Sequence, residues 1–285
     1  MNATGSRPDV TRSQPDAEEL RTEIASLKQE LEQTRQELEE TRKSTTRYLQ
    51  NVAHQLTAPL NAIKWNIEAI RDEAISIPRK KNLLSSIYSQ GTILVHLIKN
   101  FSLMSNLEAD HELGQFRDKP ESVHPLRLAI NLANDFEPQA SDGGKQIEVR
   151  NSTFDSVFGN RSLLVVKNLV AQALSNLIEN AVKYSTSGTT IYIEGDQIVI
   201  AGKTWTGISV RNTGLPISPD EVKKLTDRGF RGNAAKQKIP AGTGIGLYLA
   251  DRVMELHQGM IHVSAKEHNT KMTLLFPDSR IPITS

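Results

Sequence analysis

No cysteine occurs among the 285 residues. Disulfides, zinc fingers, thiolate-held clusters and thiol nucleophiles are all excluded by that one absence. An excess of charge of one sign is missing too, since 34 Lys and Arg stand against 33 Asp and Glu. Such a balance gives no global pull toward nucleic acid or an anionic membrane, so no nucleic-acid partner is expected. No run approaches the about 18 apolar residues of a transmembrane helix, and residues 1–16 lack the apolar segment of a signal peptide. The expectation is a cytoplasmic chain without a transmembrane segment. With 38% hydrophobic and 24% charged residues it has material for a real core. Its length suits roughly two domains of about 150 residues.

Residues 1–16, polar and containing two prolines, read as a disordered tail. Residues 17–47 read as a coiled coil. Leu20, Ile24, Leu27, Leu31, Thr34, Leu38, Thr41, Thr45, Tyr48 and Val52 follow one another at alternating steps of four and three, a heptad seam. A helix this polar needs a partner, most simply a second copy in parallel. The seam continues through Leu56, Leu60, Ile63, Ile67 and Ile70, but the steps 52–56–60 are both four. That stutter coincides with Pro59, so the helix is expected to bend there. A second apolar-faced helix is expected from about Arg79 to Ala109, joined through a turn around Ile75–Pro78. Residues 48–112 would then form an antiparallel helical hairpin, and two chains a four-helix bundle.

The pattern changes near residues 112–122. Short β-like runs follow at Gln146–Arg150, Thr189–Glu194, Gln197–Ala201, Gly207–Arg211, Met260–Ser264 and Lys271–Phe276. They alternate with amphipathic helices at Arg161–Tyr184 and Ile245–His257, and a shorter one near Pro219–Leu225. Residues 120–280 therefore read as an α+β sandwich, an antiparallel or mixed sheet with helices on one face.

Four elements carry chemistry. His54 sits two residues from Val52 and from Leu56, so it projects roughly opposite the seam. An imidazole, with an ordinary pKa of about 6.5, is a competent neutral nucleophile at neutral pH; an exposed helical histidine is as often merely exposed. The other histidines show no i, i+4 pairing that would suit a metal. Asn176, Asn180, Lys183 and Tyr184 fall on neighbouring parts of one helix face, opposite a stripe of Leu174, Leu177, Ile178 and Val182. Two amides and an ammonium in line suit a hydrated Mg²⁺ and the phosphates it neutralises, or simply a solvated helix face. Gly242-Thr243-Gly244-Ile245-Gly246-Leu247 opens a helix, and glycines there let backbone amides approach phosphate. Its spacing is neither a Walker A loop nor a dinucleotide fingerprint. Ahead of it lies the basic stretch Arg228–Lys238, with Phe230 and Arg231, which reads as a nucleotide lid or a surface loop. Fourth, a strand ends in Asn212-Thr213-Gly214-Leu215-Pro216-Ile217, where a side-chain acceptor and a glycine turn could meet a nucleobase edge.

In this order the elements resemble the core of a two-component sensor histidine kinase, over roughly residues 45–278. Val52–Leu60 resembles the phosphoacceptor box of that family and Asn176–Tyr184 its Asn-rich box. Asn212–Ile217 is similar to the first glycine box, Phe230-Arg231-Gly232 to part of the Phe box, and Gly242–Leu247 to the second glycine box. The resemblance implies a dimeric phosphotransfer domain followed by a Bergerat-type sandwich that binds ATP with Mg²⁺. It implies that Asn180 ligates Mg²⁺, that Asn176 and Lys183 lie near the phosphates, that Tyr184 flanks the nucleotide, and that Gly242–Gly246 cradle the triphosphate. The γ-phosphoryl would pass to His54 and then to an aspartate of a response regulator receiver domain.

Three positions depart from the family pattern. Gln55 replaces the usual acidic residue after the histidine; it can orient the ring but not accept a proton. Ala58 replaces a polar residue associated with dephosphorylating the partner, so weak phosphatase activity is expected. Asn212 stands where an aspartate usually accepts from adenine. These departures support an alternative, a non-catalytic ATP-binding and docking module. In a third reading, an ATP-hydrolysing machine of the same superfamily, Glu179 would be the general base for water.

Overall fold

A computed structural model describes residues 17–71, 75–110, 119–239 and 243–282. The expected tail, part of the hairpin turn, most of the domain boundary and Gly242 lie outside them. The chain divides into two compact units at Gln50–Asn51.

Helix α1 (Ala17–Ile70) carries the heptad seam and contains Pro59. In its first part the seam side chains face water: Leu27, Leu31 and Leu38 are exposed. Helix α2 (Ile77–Asp110) is the second arm of the hairpin, two residues longer at its start than the pattern suggests. Asn66 Nδ2 donates to Ser86 Oγ across the two arms at 2.9 Å.

The sandwich begins with β1 (Glu121–Val123) and α3 (Pro125–Asp142), then β2 (Gln146–Arg150), α4 (Asn151–Phe158) and β3 (Leu163–Val165). It continues through α5 (Lys167–Tyr184), β4 (Thr190–Ile200), β5 (Lys203–Thr213), α6 (Pro219–Val222), α7 (Asn233–Lys238), α8 (Gly246–Leu256), β6 (Met260–Lys266) and β7 (Asn269–Phe276). The main sheet has the order β2-β4-β5-β7-β6, parallel at β2–β4 and antiparallel elsewhere, while β1 and β3 pair separately. Period-two alternation sends Ile191, Ile193, Ile208 and Val210 to one face, where all are buried. The helices cover that face. Gly195 shows how close they come: a Cβ there would lie 2.7 Å from the Thr153 carbonyl oxygen of α4. On the other face Glu194 takes Arg150 at 2.9 Å and Arg211 at 3.1 Å, and both guanidiniums lie over the Tyr192 ring.

Several elements differ from the sequence reading. The helix expected from Arg161 starts at Lys167, because Leu163–Val165 pair with β1 instead. The two runs at Thr189–Glu194 and Gln197–Ala201 are one strand, kept extended through Gly195 and Asp196 by continuous pairing with β5. The basic stretch holds a helix, α7, rather than loop alone. Helices α3 and α4 were not anticipated. Helix α3 buries Leu128, Ala129, Leu132, Ala133 and Phe136. It receives α2: His96 stacks on Phe136 with ring centroids 4.6 Å apart, and Asn100 Oδ1 accepts from Gln172 Nε2 of α5 at 2.8 Å. No described helix is long and apolar enough to cross a membrane.

Candidate nucleotide and phosphotransfer site

Helix α5 is the platform of the site. Its stripe Leu174, Leu177, Ile178 and Val182 is buried, which turns Asn180, Lys183 and Tyr184 toward a cleft walled by the ends of β5 and β7, by α6 and α7, and by the start of α8. Glu179, Asn180, Lys183, Tyr184, Asn212, Ile217, Phe230, Arg231, Thr243, Gly244, Gly246 and Leu247 line this one cavity. Gln55 lines it as well. Residues scattered over nearly two hundred positions are thus brought together.

Four expected residues stand outside the lining. His54 is exposed on α1 beside Gln55. Asn176, 1% exposed, sits behind the glycine turn and donates from Nδ2 to the Gly246 carbonyl at 3.0 Å. Gly214 is a backbone junction: a Cβ there would fall 2.2 Å from the Tyr184 carbonyl oxygen, so only glycine lets the strand end meet the end of α5. Ile245 is buried under the turn. Sequence reasoning missed Leu97, Asn100, Glu221, Thr270 and Met272, which also line the cavity. Only the capping pattern Ser218–Glu221 carried a local signal. Glu221 accepts from the backbone N–H groups of Ser218 and Asn233, which holds its carboxyl below the usual range and ties α6 to α7.

The stretch from Arg228 to Ile239 is fastened by its own cations. Arg231 donates to the carbonyls of Ala235 and Ile239. Lys238 Nζ reaches the Tyr184 and Ser185 carbonyls at 3.2 and 3.1 Å, filling acceptors left open at the C-terminus of α5. Lys145 donates to Val182 O at 2.5 Å in the same neighbourhood, and burial together with the Lys238 charge pushes its ammonium down. Gly244 has φ +69 and accepts the Gly229 N–H through its carbonyl at 3.1 Å, so the basic stretch and the glycine turn meet backbone to backbone. Inside the cavity Lys183 pairs with buried Glu179 at 2.7 Å.

The donor set suits Mg²⁺. No cluster of three His, Cys, Asp or Glu that could hold a metal occurs among the described residues. Mg²⁺ binds through hard oxygen ligands, retains waters and takes most of its remaining ligands from phosphate, so a single amide oxygen such as that of Asn180 is a sufficient protein anchor.

Two family models match the chain. Residues 165–280 match the histidine kinase-, DNA gyrase B- and HSP90-like ATPase family. Residues 44–110 match the His Kinase A phosphoacceptor domain. The chain belongs to the histidine kinases. Among curated histidine kinases and sensors it is 29% identical over 248 residues to the sensor histidine kinase RppB of Synechocystis sp., covering 83% of this chain and 50% of that protein. It is 25% identical over 226 residues to the phosphate regulon sensor protein PhoR of Haemophilus influenzae, covering 79% of this chain and 49% of the relative. To the sensor protein IrlS of Burkholderia pseudomallei it is 28% identical over 239 residues, covering 81% and 47%. This histidine kinase chain thus spans about half the length of the curated relatives it matches.

Proposed function

We propose that the protein is an ATP-dependent histidine autokinase that phosphorylates His54 and passes the phosphoryl group to an aspartate of a response regulator receiver domain. One observation carries this reading: the cavity gathers the Asn180–Tyr184 face, the Gly244–Gly246 turn and the lid around Gln55, the neighbour of an exposed histidine. In this reading residues 17–47 form a coiled coil, 48–112 a dimerisation and phosphotransfer domain, and 120–280 the ATP-binding domain. The second copy pairs through the exposed leucines of α1 and through the bundle.

Each side chain has a physical task. Asn180 holds Mg²⁺, which when bound neutralises phosphate charge. Lys183, oriented by Glu179, lies beside the phosphates, and Asn176 braces the turn from behind. The amides of Gly244–Gly246 face the triphosphate, with Thr243 beside them. Tyr184, Asn212, Ile217 and Phe230 surround the base and ribose. Catalysis is then positioning and charge neutralisation around an imidazole nucleophile. Gln55 cannot take up a proton, and Ala58 offers no polar atom to a water, which supports weak phosphatase activity toward the partner.

The test is incubation with γ-labelled ATP and Mg²⁺, comparing wild type with His54→Ala and Asn180→Ala. Acid-labile, base-stable label on the wild type, lost in both variants, is expected. Nucleotide binding without any label on the wild type would overturn the kinase reading in favour of a docking module.

A further inference from the structure

We infer that His54 takes its phosphoryl group from the nucleotide bound by its own chain rather than from that of a dimer partner. This rests on the autokinase reading and adds the direction of transfer to it.

The supporting observation is which chain completes the cavity. Three hairpin residues, Gln55 of α1 and Leu97 and Asn100 of α2, line it together with Asn180, Lys183 and Gly246 of the same chain. The hairpin and the sandwich belong to one compact unit from Asn51 onward. Their junction is specific. Asn100 Oδ1 accepts from Gln172 Nε2, so a residue of the cavity wall is itself hydrogen-bonded to the helix that carries Asn180. Four residues earlier, His96 is 5% exposed and stacked on Phe136; three and four residues later, Leu103 and Met104 are buried. The contact therefore runs along more than two turns of one α2 face.

Presenting this nucleotide site to a partner's histidine would require that whole seam to open. The Asn100–Gln172 bond would break, and the His96 ring, Leu103 and Met104 would enter water. Presenting it to the chain's own histidine requires much less. His54 immediately precedes Gln55, one helical position away, so its ring lies about 100° around the α1 axis and about 1.5 Å along it. A turn of α1 against a seated sandwich, at the cost of the Asn66–Ser86 bond, exchanges Gln55 for His54 at the cavity wall while the α2 seam stays closed.

The step itself balances within one chain. A ring nitrogen lone pair of His54 attacks the γ-phosphorus, and the bond to the β–γ bridging oxygen breaks. The electron pair leaves with ADP, and the proton on the other ring nitrogen passes to solvent.

The experiment uses mixed dimers of the full chain, purified through two different tags. One chain carries His54→Ala and the other Asn180→Ala. Binding of a fluorescent ATP analogue by the His54→Ala chain, and an unchanged melting transition of the Asn180→Ala chain, establish that both are folded. With γ-labelled ATP and Mg²⁺ this mixed dimer is expected to stay unlabelled. A dimer of wild type with a chain carrying both substitutions is expected to label at about half the wild-type level. Label on the Asn180→Ala chain at a rate near wild type would overturn the inference. A wild-type rate per chain that is independent of protein concentration through the monomer range would support it as well. Absence of label on the wild-type homodimer would overturn the autokinase reading itself, a separate outcome.

Discussion

Gly244 cannot become alanine without moving its surroundings. Its φ is +69, and an added Cβ would lie 2.6 Å from the Phe230 carbonyl oxygen and 2.8 Å from that of Gly229. Left-handed backbone costs an alanine roughly 1–2 kcal/mol before any clash is counted. Gly244→Ala is therefore expected to weaken ATP binding by about tenfold or more, read by fluorescent nucleotide titration, with a smaller fall in thermal midpoint. Asn176 acts one layer behind. Asn176→Ala removes the donor to the half-buried Gly246 carbonyl, at a cost of about 1 kcal/mol. Chemical denaturation should show that loss, together with weaker nucleotide binding although Asn176 does not line the cavity. His257 gives a pH dependence. The Val166 N–H can only donate and the Val253 carbonyl can only accept, so Nε2 must be the acceptor at 3.0 Å and Nδ1 must carry the proton at 2.7 Å. Burial holds this ring below the usual imidazole range, and burial does the same to His96 although the Glu179 charge opposes it. Above about pH 6.5 both states are neutral and the full stability is present. As pH falls below that, the unfolded chain takes protons the folded chain refuses, so stability declines toward the lowered folded pKa. Thermal midpoints from pH 8 to pH 5 should fall in that window, and His257→Gln should flatten the decline.

At the scale of elements, α7 is bound to the end of α5 by Lys238. Lys238→Met removes a cation from two carbonyls at the helix end, where a charged donor contributes most. Hydrogen exchange of residues 229–239 should accelerate, and ATP dissociation should quicken by about three- to tenfold. Unchanged exchange would show that Glu221 alone holds α6 and α7 together. The elements also show what the chain discloses locally. Helix α5 was legible because Leu174, Leu177, Ile178 and Val182 make an unbroken stripe with a polar face opposite. Helix α3 was not, since its buried positions include Ala129, Ala133 and Ala140, which weigh little in a count of apolar spacing, and Pro138 interrupts its last turns. Strand β3 was absorbed into α5 because Leu-Leu-Val fits either period, and only pairing with β1, forty residues away, decides it. The glycine turn and Asn-rich face were legible because their chemistry is local. Leu97, Asn100, Thr270 and Met272 were not, because their place in the cavity follows from tertiary docking and sheet register.

At the scale of the whole molecule, the heptad seam of α1 is the feature a single chain leaves open. Leu20, Ile24, Leu27, Leu31 and Leu38 are 42 to 70% exposed. Burial against a second copy would recover about 25 cal/mol per Å² of that surface. Replacing Leu27 and Leu31 together by Asp should shift the mass measured by sedimentation equilibrium toward the monomer. A wild-type chain already monomeric at high concentration would remove the basis for the dimer.

The His257–Val166 and Asn176–Gly246 hydrogen bonds have a joint consequence. They fasten the antiparallel pair α5 and α8 at two points, the first where α5 begins and α8 ends, the second at the middle of α5 and the start of α8. At about 1.5 Å per residue the fastenings lie about 15 Å apart. Two bars joined at one point can scissor; joined at two they make a stiff frame. The floor of the candidate nucleotide site is therefore unable to widen by splaying its helices, and among the described residues entry and exit of a nucleotide fall to the wall made by α6 and α7.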